Sequence, residues 1–242
     1  MCIRDRILRK IILSRKGLDS SAGGAPSPIM PDGRIFSLPI PQKEKSPNRY
    51  KNLQFDEFNG TKLLKNFKSK IKPNDFCHYD PRLNQKIGIF GQANAAQSEL
   101  DNLEVQTGDL FLFFGWFRNV GKKGTDLHHL FGWLQIDEII KGEKDIKNYL
   151  KLKKLDHPHG FEDVTRYKNN TLFIGANQLT LNRRKTLKRG HGLFKNTHRD
   201  LILTEKNKTR SNWQFPNEFK NSQNLFMNRL QWSDQKKVKL SY

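Results

Sequence analysis

Two short segments bring histidine and acidic or basic side chains close together in the sequence. Residues 78–82 read HYDPR, so an imidazole, a carboxylate and a guanidinium share a proline-bounded loop. Residues 157–159 read HPH, which places two imidazoles on one side of an extended backbone. Histidine titrates near neutral pH, and this set of groups suits proton transfer or the orientation of a nucleotide's sugar and phosphate. A loop salt bridge between Asp80 and Arg82, with His78 exposed, is the structural alternative.

A third segment with chemical potential follows the first apolar run. Residues 14–33 are rich in glycine, serine and proline, and Arg15 and Lys16 stand at their beginning. A strand that leads into such a loop can direct backbone N–H groups and cations at a phosphate. The glycine spacing is neither that of a P-loop nor that of a dinucleotide fingerprint, so a plain structural turn is the alternative.

The remaining histidines raise the question of a metal site. The spacing of His157 and His159 suits a metal ion, and His128, His129, His191 or His198 could supply further ligands beside a carboxylate. No metalloprotease motif accompanies them, and spacing alone does not establish a convergent geometry. We therefore assign no metal ligand, leave the cofactor open, and expect these histidines to hydrogen-bond to backbone or substrate.

The charge balance favours a polyanionic partner. The formal net charge is +20 and the pI is about 10.0, which attracts phosphate-bearing molecules in a salt-dependent way. A diffuse basic surface without a specific partner is the alternative. Within residues 183–189, five cations are concentrated, and these are predicted to contact a nucleic-acid backbone unless they form a solvated hairpin: Arg183, Arg184, Lys185, Lys188 and Arg189.

Cysteine content and hydropathy exclude several classes of protein. Cys2 and Cys77 are the only cysteines, which rules out a disulfide framework and a zinc site built mainly of thiolates. The longest apolar run, residues 110–117, is far shorter than the roughly 20 residues that span a bilayer. We expect a cytoplasmic protein without a membrane partner; the oligomeric state is left open.

The elements that must position these residues read as one α+β domain. We expect a mixed, mostly antiparallel, partly barrel-like sheet of the PUA or EVE kind, with peripheral helices. Strands are predicted at 11–13, 34–40, 110–118, 129–140, 171–175, 178–181 and 201–204, helices at 56–70 and 145–154, and an irregular loop at 17–31. Residues 1–9 resemble translated adapter sequence, so the domain is expected over 10–242, with a truncation at its C-terminal end left open.

The segment from Lys10 to Pro41 carries a family resemblance. Its runs KIILSRKG (10–17), DS (19–20), GG (23–24), PSPI (26–29), PDGR (31–34) and SLPIP (37–41) resemble the amino-terminal signature of the nucleotide modification associated domain family of the third type. Weaker similarity continues through 78–82, 108–115, 157–159 and 192–199 to Trp213 and Pro216. The resemblance implies a role beside base-hypermodifying enzymes in phage or bacterial DNA modification.

Together these observations predict one shared site for a nucleotide or DNA. Predicted as acid or base are Asp19, Asp80 and His159. Predicted to bind nucleotide are Ser14, Arg15, Lys16, Ser20, Ser27, Asp32, His78, Arg82, Gln92, His129 and His157. The enzyme question stays open: an enzyme should gather these residues in one deep pocket, whereas a non-catalytic module that assists a partner modification enzyme should present a shallow, basic, aromatic-lined cleft.

Overall fold

The computed structural model describes residues 10–122, 124–161, 164–181 and 184–215, and the backbone of three later strands. The strands are, in chain order, β1 (Ile11–Arg15), β2 (Ser27–Ile29), β3 (Ile40–Gln42), β4 (Asn48–Arg49), β5 (Gln54–Phe55), β6 (Phe58–Asn59), β7 (Phe76–His78), β8 (Ile89–Gln92), β9 (Leu110–Asn119), β10 (Leu127–Lys141), β11 (Thr171–Gly175), β12 (Thr180–Leu181), β13 (Arg184–Lys185), β14 (His191–Leu193), β15 (Asn212–Gln214), β16 (Leu225–Phe226), β17 (Leu230–Trp232) and β18 (Lys237–Leu240).

Eight strands form the main sheet, with the order β16-β1-β9-β10-β11-β8 and with β2 and β14 as additional partners of β9 and β10. Strand β1 runs parallel to β9, whereas β10 is antiparallel to β9, β11 and β14. The sheet is therefore mixed and mostly antiparallel, as predicted. Smaller antiparallel sheets pair β3 and β4 with β7, and β12 with β13.

The main sheet is strongly curled. Strand β8 lies four places from β1, which is about 19 Å in a flat sheet. Nevertheless, the Lys16 Nζ atom, just after β1, lies 4.4 Å from the ring of Phe90 in β8. Register shifts in β10, between Leu130 and Gly132 and between Ile136 and Glu138, are irregularities of the kind that bend a sheet. Among the described strands no sheet closes into a barrel, and a PUA or EVE fold stays a prediction.

A phenylalanine-rich core fills the concave interior of this curl. Phe90 packs edge-to-face on Phe111 and Phe113, with ring centroids 4.9 and 5.0 Å apart, and stacks on Phe173 at 5.6 Å. All four side chains are at most 1% exposed. Because aromatic side chains are large and prefer edge or offset contacts, a chain with few aliphatic residues builds its core from them.

The helices are short and peripheral: α1 (Gly60–Leu64), α2 (Asn94–Asn102) and α3 (Glu143–Lys153). Helix α3 has acidic residues in its first turn and lysines in its last, which complements the helix dipole, and it ends at Lys154 in the left-handed conformation. In the described parts of the chain, each helix is too short or too polar to cross a bilayer.

Several predicted elements are confirmed, and others are corrected. Strand β1, the hairpin β9–β10, strand β11 and helix α3 lie where the sequence predicted them. Residues 34–39 form no strand; only isolated bridges occur at Arg34 and Ile35, and the strand begins at Ile40. The irregular loop contains strand β2, which pairs with the carboxyl-terminal end of β9. Because β2 is an edge strand, its proline costs no ladder hydrogen bond.

The remaining differences concern short elements. The helix predicted over 56–70 is reduced to the five residues of α1. The hairpin β5–β6 occupies the beginning of the predicted range, and the residues that follow α1 are not helical. The strand predicted over 178–181 is reduced to β12, and residues 201–204 form only isolated bridges after a 3-10 turn at Arg199–Leu201. Helix α2 was not predicted. Residues 1–9, interpreted as an extension, lie outside the described residues.

Candidate functional site

A cleft of about 560 Å³ opens where the carboxyl ends of β1 and β8 meet the small sheet β3-β7-β4. Small-molecule sites typically measure roughly 300–1,000 Å³, so the cleft has room for a nucleotide. Seven of the predicted site residues line it: Arg15, Lys16, Asp19, His78, Asp80, Gln92 and His159. They come from four separate segments of the chain.

Asp80 lies at the centre of the cleft, and its side chain is fully buried. Its Oδ1 atom accepts hydrogen bonds from the Gly91 backbone N–H at 2.8 Å and from His157 Nε2 at 3.1 Å. Its Oδ2 atom lies 3.6 Å from Lys16 Nζ and 3.9 Å from His78 Nε2. Burial alone would raise the pKa of Asp80, but the hydrogen bond from His157 and the charge of Lys16 outweigh it and hold the pKa below its ordinary value.

Local structure explains why Asp80 is so firmly held. Asp80 lies two residues after the end of β7, and the backbone of Arg82 exchanges two hydrogen bonds with Ile89 at the start of β8. This pairing places the carboxylate against the Gly91 N–H group. Arg82 itself is buried and anchors the loop, since its guanidinium donates to the Tyr79 carbonyl, to Asn48 Oδ1 at 2.7 Å and to Asp156.

Three histidines surround Asp80, and their partners fix which ring nitrogen carries the proton. His157 Nδ1 accepts the backbone N–H of His159, so its Nε2 is the donor to Asp80. His159 Nδ1 lies 2.6 Å from Asn170 Oδ1, and the Asn170 amide nitrogen donates back to the His159 carbonyl, so the Nδ1 of His159 carries the proton. Burial lowers the pKa of His159 to about 3, which keeps this ring neutral.

His78 shows the same arrangement as His159. Its Nδ1 lies 3.0 Å from Gln42 Oε1, and the Gln42 amide nitrogen donates to the Glu44 and Lys45 carbonyls, which orients the amide. His78 therefore carries its proton on Nδ1, and burial lowers its pKa to about 4. Both rings thus present Nε2 as the nitrogen with a lone pair.

Lys16 stands at the end of β1, and Gly17, at a φ of +83°, lets the chain turn away immediately afterwards. Its ammonium group lies between Asp80 and the face of Phe90. Burial lowers the pKa of Lys16, and the nearby carboxylate offsets this only in part. The loop that follows is shaped by Asp19, whose Oδ1 accepts from Ser21 N–H, Ser21 Oγ and Ala22 N–H at 2.6–2.7 Å.

The other predicted nucleotide-binding residues do not line this cleft. His157 and Arg82 are buried behind it, Ser27 Oγ accepts from the Leu38 N–H, and Asp32 pairs with Arg34 on the surface. His129 is 0% exposed and is engaged by the Leu130 carbonyl and Thr197, so the structure places it in the interior. Ser14 is half-buried in β1, and Ser20 is exposed on the following loop. For these residues, a direct contact with a ligand in the cleft is not supported by their positions.

The predicted nucleic-acid contacts lie elsewhere on the molecule. Arg184, Lys185, Lys188 and Arg189 are exposed around the hairpin β12–β13, and Arg183 lies outside the described residues. Gln135 ties this hairpin to the sheet through two hydrogen bonds with Thr180 and pairs with Leu110, at the start of β9. The cleft lies near the middle of β9 instead, where the N–H of the cleft residue Lys16 donates to the Phe114 carbonyl.

Sequence reasoning missed several residues of the cleft. Gln42 and Asn170 orient the histidines, and Arg166 and Tyr167 form one wall, with the Tyr167 ring stacked on His159 at 4.7 Å. An arginine beside a tyrosine in a polar loop was the signal available for the wall. No sequence signal marked Gln42 and Asn170, because the orienting role of an amide becomes visible only when the histidine ring that it contacts is known.

Of three comparisons with known proteins, the comparison with protein families gives a match. No curated protein and no solved structure matches the chain. The model of the family nucleotide modification associated domain 3 matches residues 10–242, in agreement with the resemblance of the Lys10–Pro41 segment. Because that match covers almost all of the sequence, the chain belongs to the nucleotide modification associated domain 3 family.

Proposed function

We propose that this protein is an enzyme that binds a nucleotide, free or within DNA, in the 560 Å³ cleft and modifies it. The single observation that carries the proposal is the convergence of Lys16, His78, Asp80 and His159 in one cleft. Family membership supports nucleotide modification as the process. Other DNA-modification enzymes, in a bacterial or phage setting, are the proposed partners.

The rim of the cleft suits a phosphate and a base. Arg15, Lys43 and Arg166 contribute guanidinium and ammonium groups that would attract phosphate oxygens. The half-buried Tyr167 ring stacks on His159, and the Arg166 guanidinium lies over it, 4.6 Å from the ring centroid. A base could stack on this ring if Arg166 moved to bind the phosphate, a contact worth about 1–3 kcal/mol. A nucleotide held in this way would direct its base or sugar towards Asp80.

The depth of the site favours an enzyme over a binding module. A module that only reads DNA needs surface cations and exposed rings, which do not require a buried carboxylate. Keeping Asp80 charged inside the protein has a desolvation cost that Gly91, His157 and Lys16 offset. Buried charged groups that are kept in place despite their desolvation cost are typical of catalytic sites. A non-catalytic, modified-base-binding role is the alternative, and it predicts nucleotide binding without the formation of a modified nucleoside.

Calorimetric titration with deoxynucleoside monophosphates tests the binding step. Replacing Arg166 by glutamine removes a charge-assisted contact with phosphate and should weaken binding about tenfold, equivalent to about 1.4 kcal/mol. Arg189→Gln, the same change on the distant hairpin, is the matched control and should leave the affinity unchanged. Equal affinities for the two variants, or no binding by the unmodified chain, would contradict the proposed location.

A further inference from the structure

We propose that His78, Asp80 and His159 bind a divalent first-row transition-metal ion at the floor of the cleft. One potential ligand atom from each residue lies within 4.8 Å of the other two. The inference concerns the same cleft as the proposed function and deepens it. Binding of the ion itself, however, does not require that a nucleotide be the substrate.

Hydrogen bonds leave the correct nitrogen of each histidine available. The Nδ1–H of His159 donates to Asn170 Oδ1 and that of His78 donates to Gln42 Oε1. Metal-binding histidines commonly donate their second ring N–H to a carbonyl or carboxylate oxygen, which fixes the tautomer and the orientation of the ring. Gln42 and Asn170 thus provide this support for both rings before any ion is bound.

Asp80 supplies the third lone pair. Its side chain is fully buried, and its Oδ2 atom has no hydrogen-bond partner among the described residues. Neither His78 Nε2, at 3.9 Å, nor the corresponding nitrogen of His159 carries a proton to donate to it. Lone pairs of the buried Asp80 and His159 and of the half-buried His78 therefore lie close together, an arrangement that a cation between them would stabilise.

The donor set indicates the class of ion. Two imidazole nitrogens and one carboxylate oxygen suit Fe²⁺, Co²⁺ or Zn²⁺ rather than Mg²⁺ or Ca²⁺, which prefer oxygen ligands. Ligand distances of about 2.0–2.2 Å require the three side chains to move inwards by small rotations. The remaining coordination positions would face the cleft, where water or a substrate oxygen can occupy them.

Lys16 is the alternative cation. Its ammonium group lies 3.6 Å from Asp80 Oδ2 and already compensates part of the carboxylate charge. A metal ion would compete with this group for Oδ2 and would displace it along the cleft. Removing the ammonium without shortening the side chain, as in Lys16→Met, should therefore strengthen metal binding.

Metal titration of the full chain, after dialysis against a chelator and without nucleotide, tests this inference. Binding of Co²⁺ is followed by visible absorption. Binding of Zn²⁺ is measured by competition with a chromophoric chelator. One ion per chain is expected, with at least tenfold weaker binding in His159→Gln and His78→Gln. His198→Gln is the matched control, since His198 is exposed and lies 3.3 Å from the carboxylate of Asp200. Lys16→Met should bind more tightly than the unmodified chain. Near-ultraviolet circular dichroism establishes that each variant is folded; if His159→Gln is not, the more accessible His78→Gln decides.

Three results would overturn the inference: less than one ion per chain, equal binding by His78→Gln and the unmodified chain, or no gain for Lys16→Met. If metal binding fails while nucleoside monophosphates still bind through Arg166, the metal site alone is wrong. If the metal binds but nucleotides do not, the proposed function is wrong and the metal site stands.

Discussion

At the scale of single residues, the buried carboxylate of Asp80 organises the cleft. Its Oδ1 atom is held by two donors, so its Oδ2 atom has a fixed position opposite Lys16 and His78. His157 acts from behind: it is 0% exposed and contacts the carboxylate without lining the cleft. We interpret His157 as a positioning residue rather than as one that touches a ligand.

Loss of the His157 donor should destabilise the protein. The change His157→Leu leaves a buried carboxylate oxygen with one donor fewer, and a hydrogen bond to a charged group contributes about 1.5–3 kcal/mol. Urea unfolding should show a decrease of that size in the free energy of unfolding. His198→Leu, at an exposed position, should change it by less than about 0.5 kcal/mol. Similar values for both variants would contradict the positioning role.

The burial of His129 predicts a pH dependence of stability away from the cleft. Burial lowers its pKa from 6.5 to about 4, so in acid the unfolded chain takes up a proton that the folded chain does not. Stability from this residue is fully present above pH 6.5 and falls by about 1.4 kcal/mol per pH unit as the pH decreases towards 4. Denaturant unfolding between pH 7 and 4 should give a shallower decline for His129→Gln. Parallel curves for the two chains would contradict a neutral, buried His129.

At the scale of elements, strand β8 forms the back of the cleft and needs glycine at one position. A Cβ atom on Gly91 would lie 2.3 Å from His159 Cδ2. Just before the same strand, a Cβ on Gly88 would lie 2.3 Å from the ring of His191, which is outside the cleft. The two glycines thus face equally close histidines, only one of which belongs to the site.

This pair of glycines gives a matched test of the role of His159. Both Gly91→Ala and Gly88→Ala should destabilise the protein by about 1–3 kcal/mol, because a buried ring must move. Only Gly91→Ala should also reduce nucleotide binding, since it displaces His159 and the Tyr167 ring stacked on it. Thermal unfolding and calorimetry of the two variants measure both effects. A loss of binding in Gly88→Ala of the same size would attribute the effect to general destabilisation.

The elements show where sequence patterns succeed and fail. The aromatic hairpin β9–β10 and strand β11 were predictable, because long apolar runs bounded by turn residues leave few alternatives. The segment 34–39 alternates like a strand but forms only isolated bridges, since tertiary pairing rather than local pattern decides strand formation. For the site, chemically distinctive residues such as Asp80 and His159 could be proposed. Gln42 and Asn170 could not, because their roles depend on the histidine ring that each amide contacts in the folded chain.

At the scale of the whole molecule, the cleft and the hairpin β12–β13 differ in their balance of charge. The cleft combines cations with acidic groups, so little net charge remains there. By contrast, Arg184, Lys185, Lys188 and Arg189 are exposed in β13 and the segment that follows it, and the Leu187 side chain among them is also fully exposed. The hairpin is joined to the sheet near Leu110 and the cleft near Phe114, about 13 Å apart along β9.

This separation predicts that DNA affinity and nucleotide affinity can be changed independently. Replacing the four hairpin cations by glutamine should reduce the slope of log affinity against log salt by up to about 0.9 for each phosphate group that the protein no longer neutralises. Mononucleotide affinity in the cleft should stay the same. Fluorescence anisotropy with duplex DNA over a sodium chloride series measures the first quantity, and calorimetry the second. An unchanged salt slope would show that the hairpin does not contact the DNA backbone.

Mass spectrometry of nucleosides tests the central claim, that the cleft around Asp80 catalyses nucleotide modification. DNA and nucleotide pools would be compared from cells that express the protein together with the genes that flank its own, with Asp80→Asn as the test variant and the exposed Asp32→Asn as the control. We predict a new modified nucleoside that is present with the unmodified chain and with Asp32→Asn and absent with Asp80→Asn. A nucleoside profile that does not change when Asp80 is replaced, in cells that contain folded protein, would contradict the account.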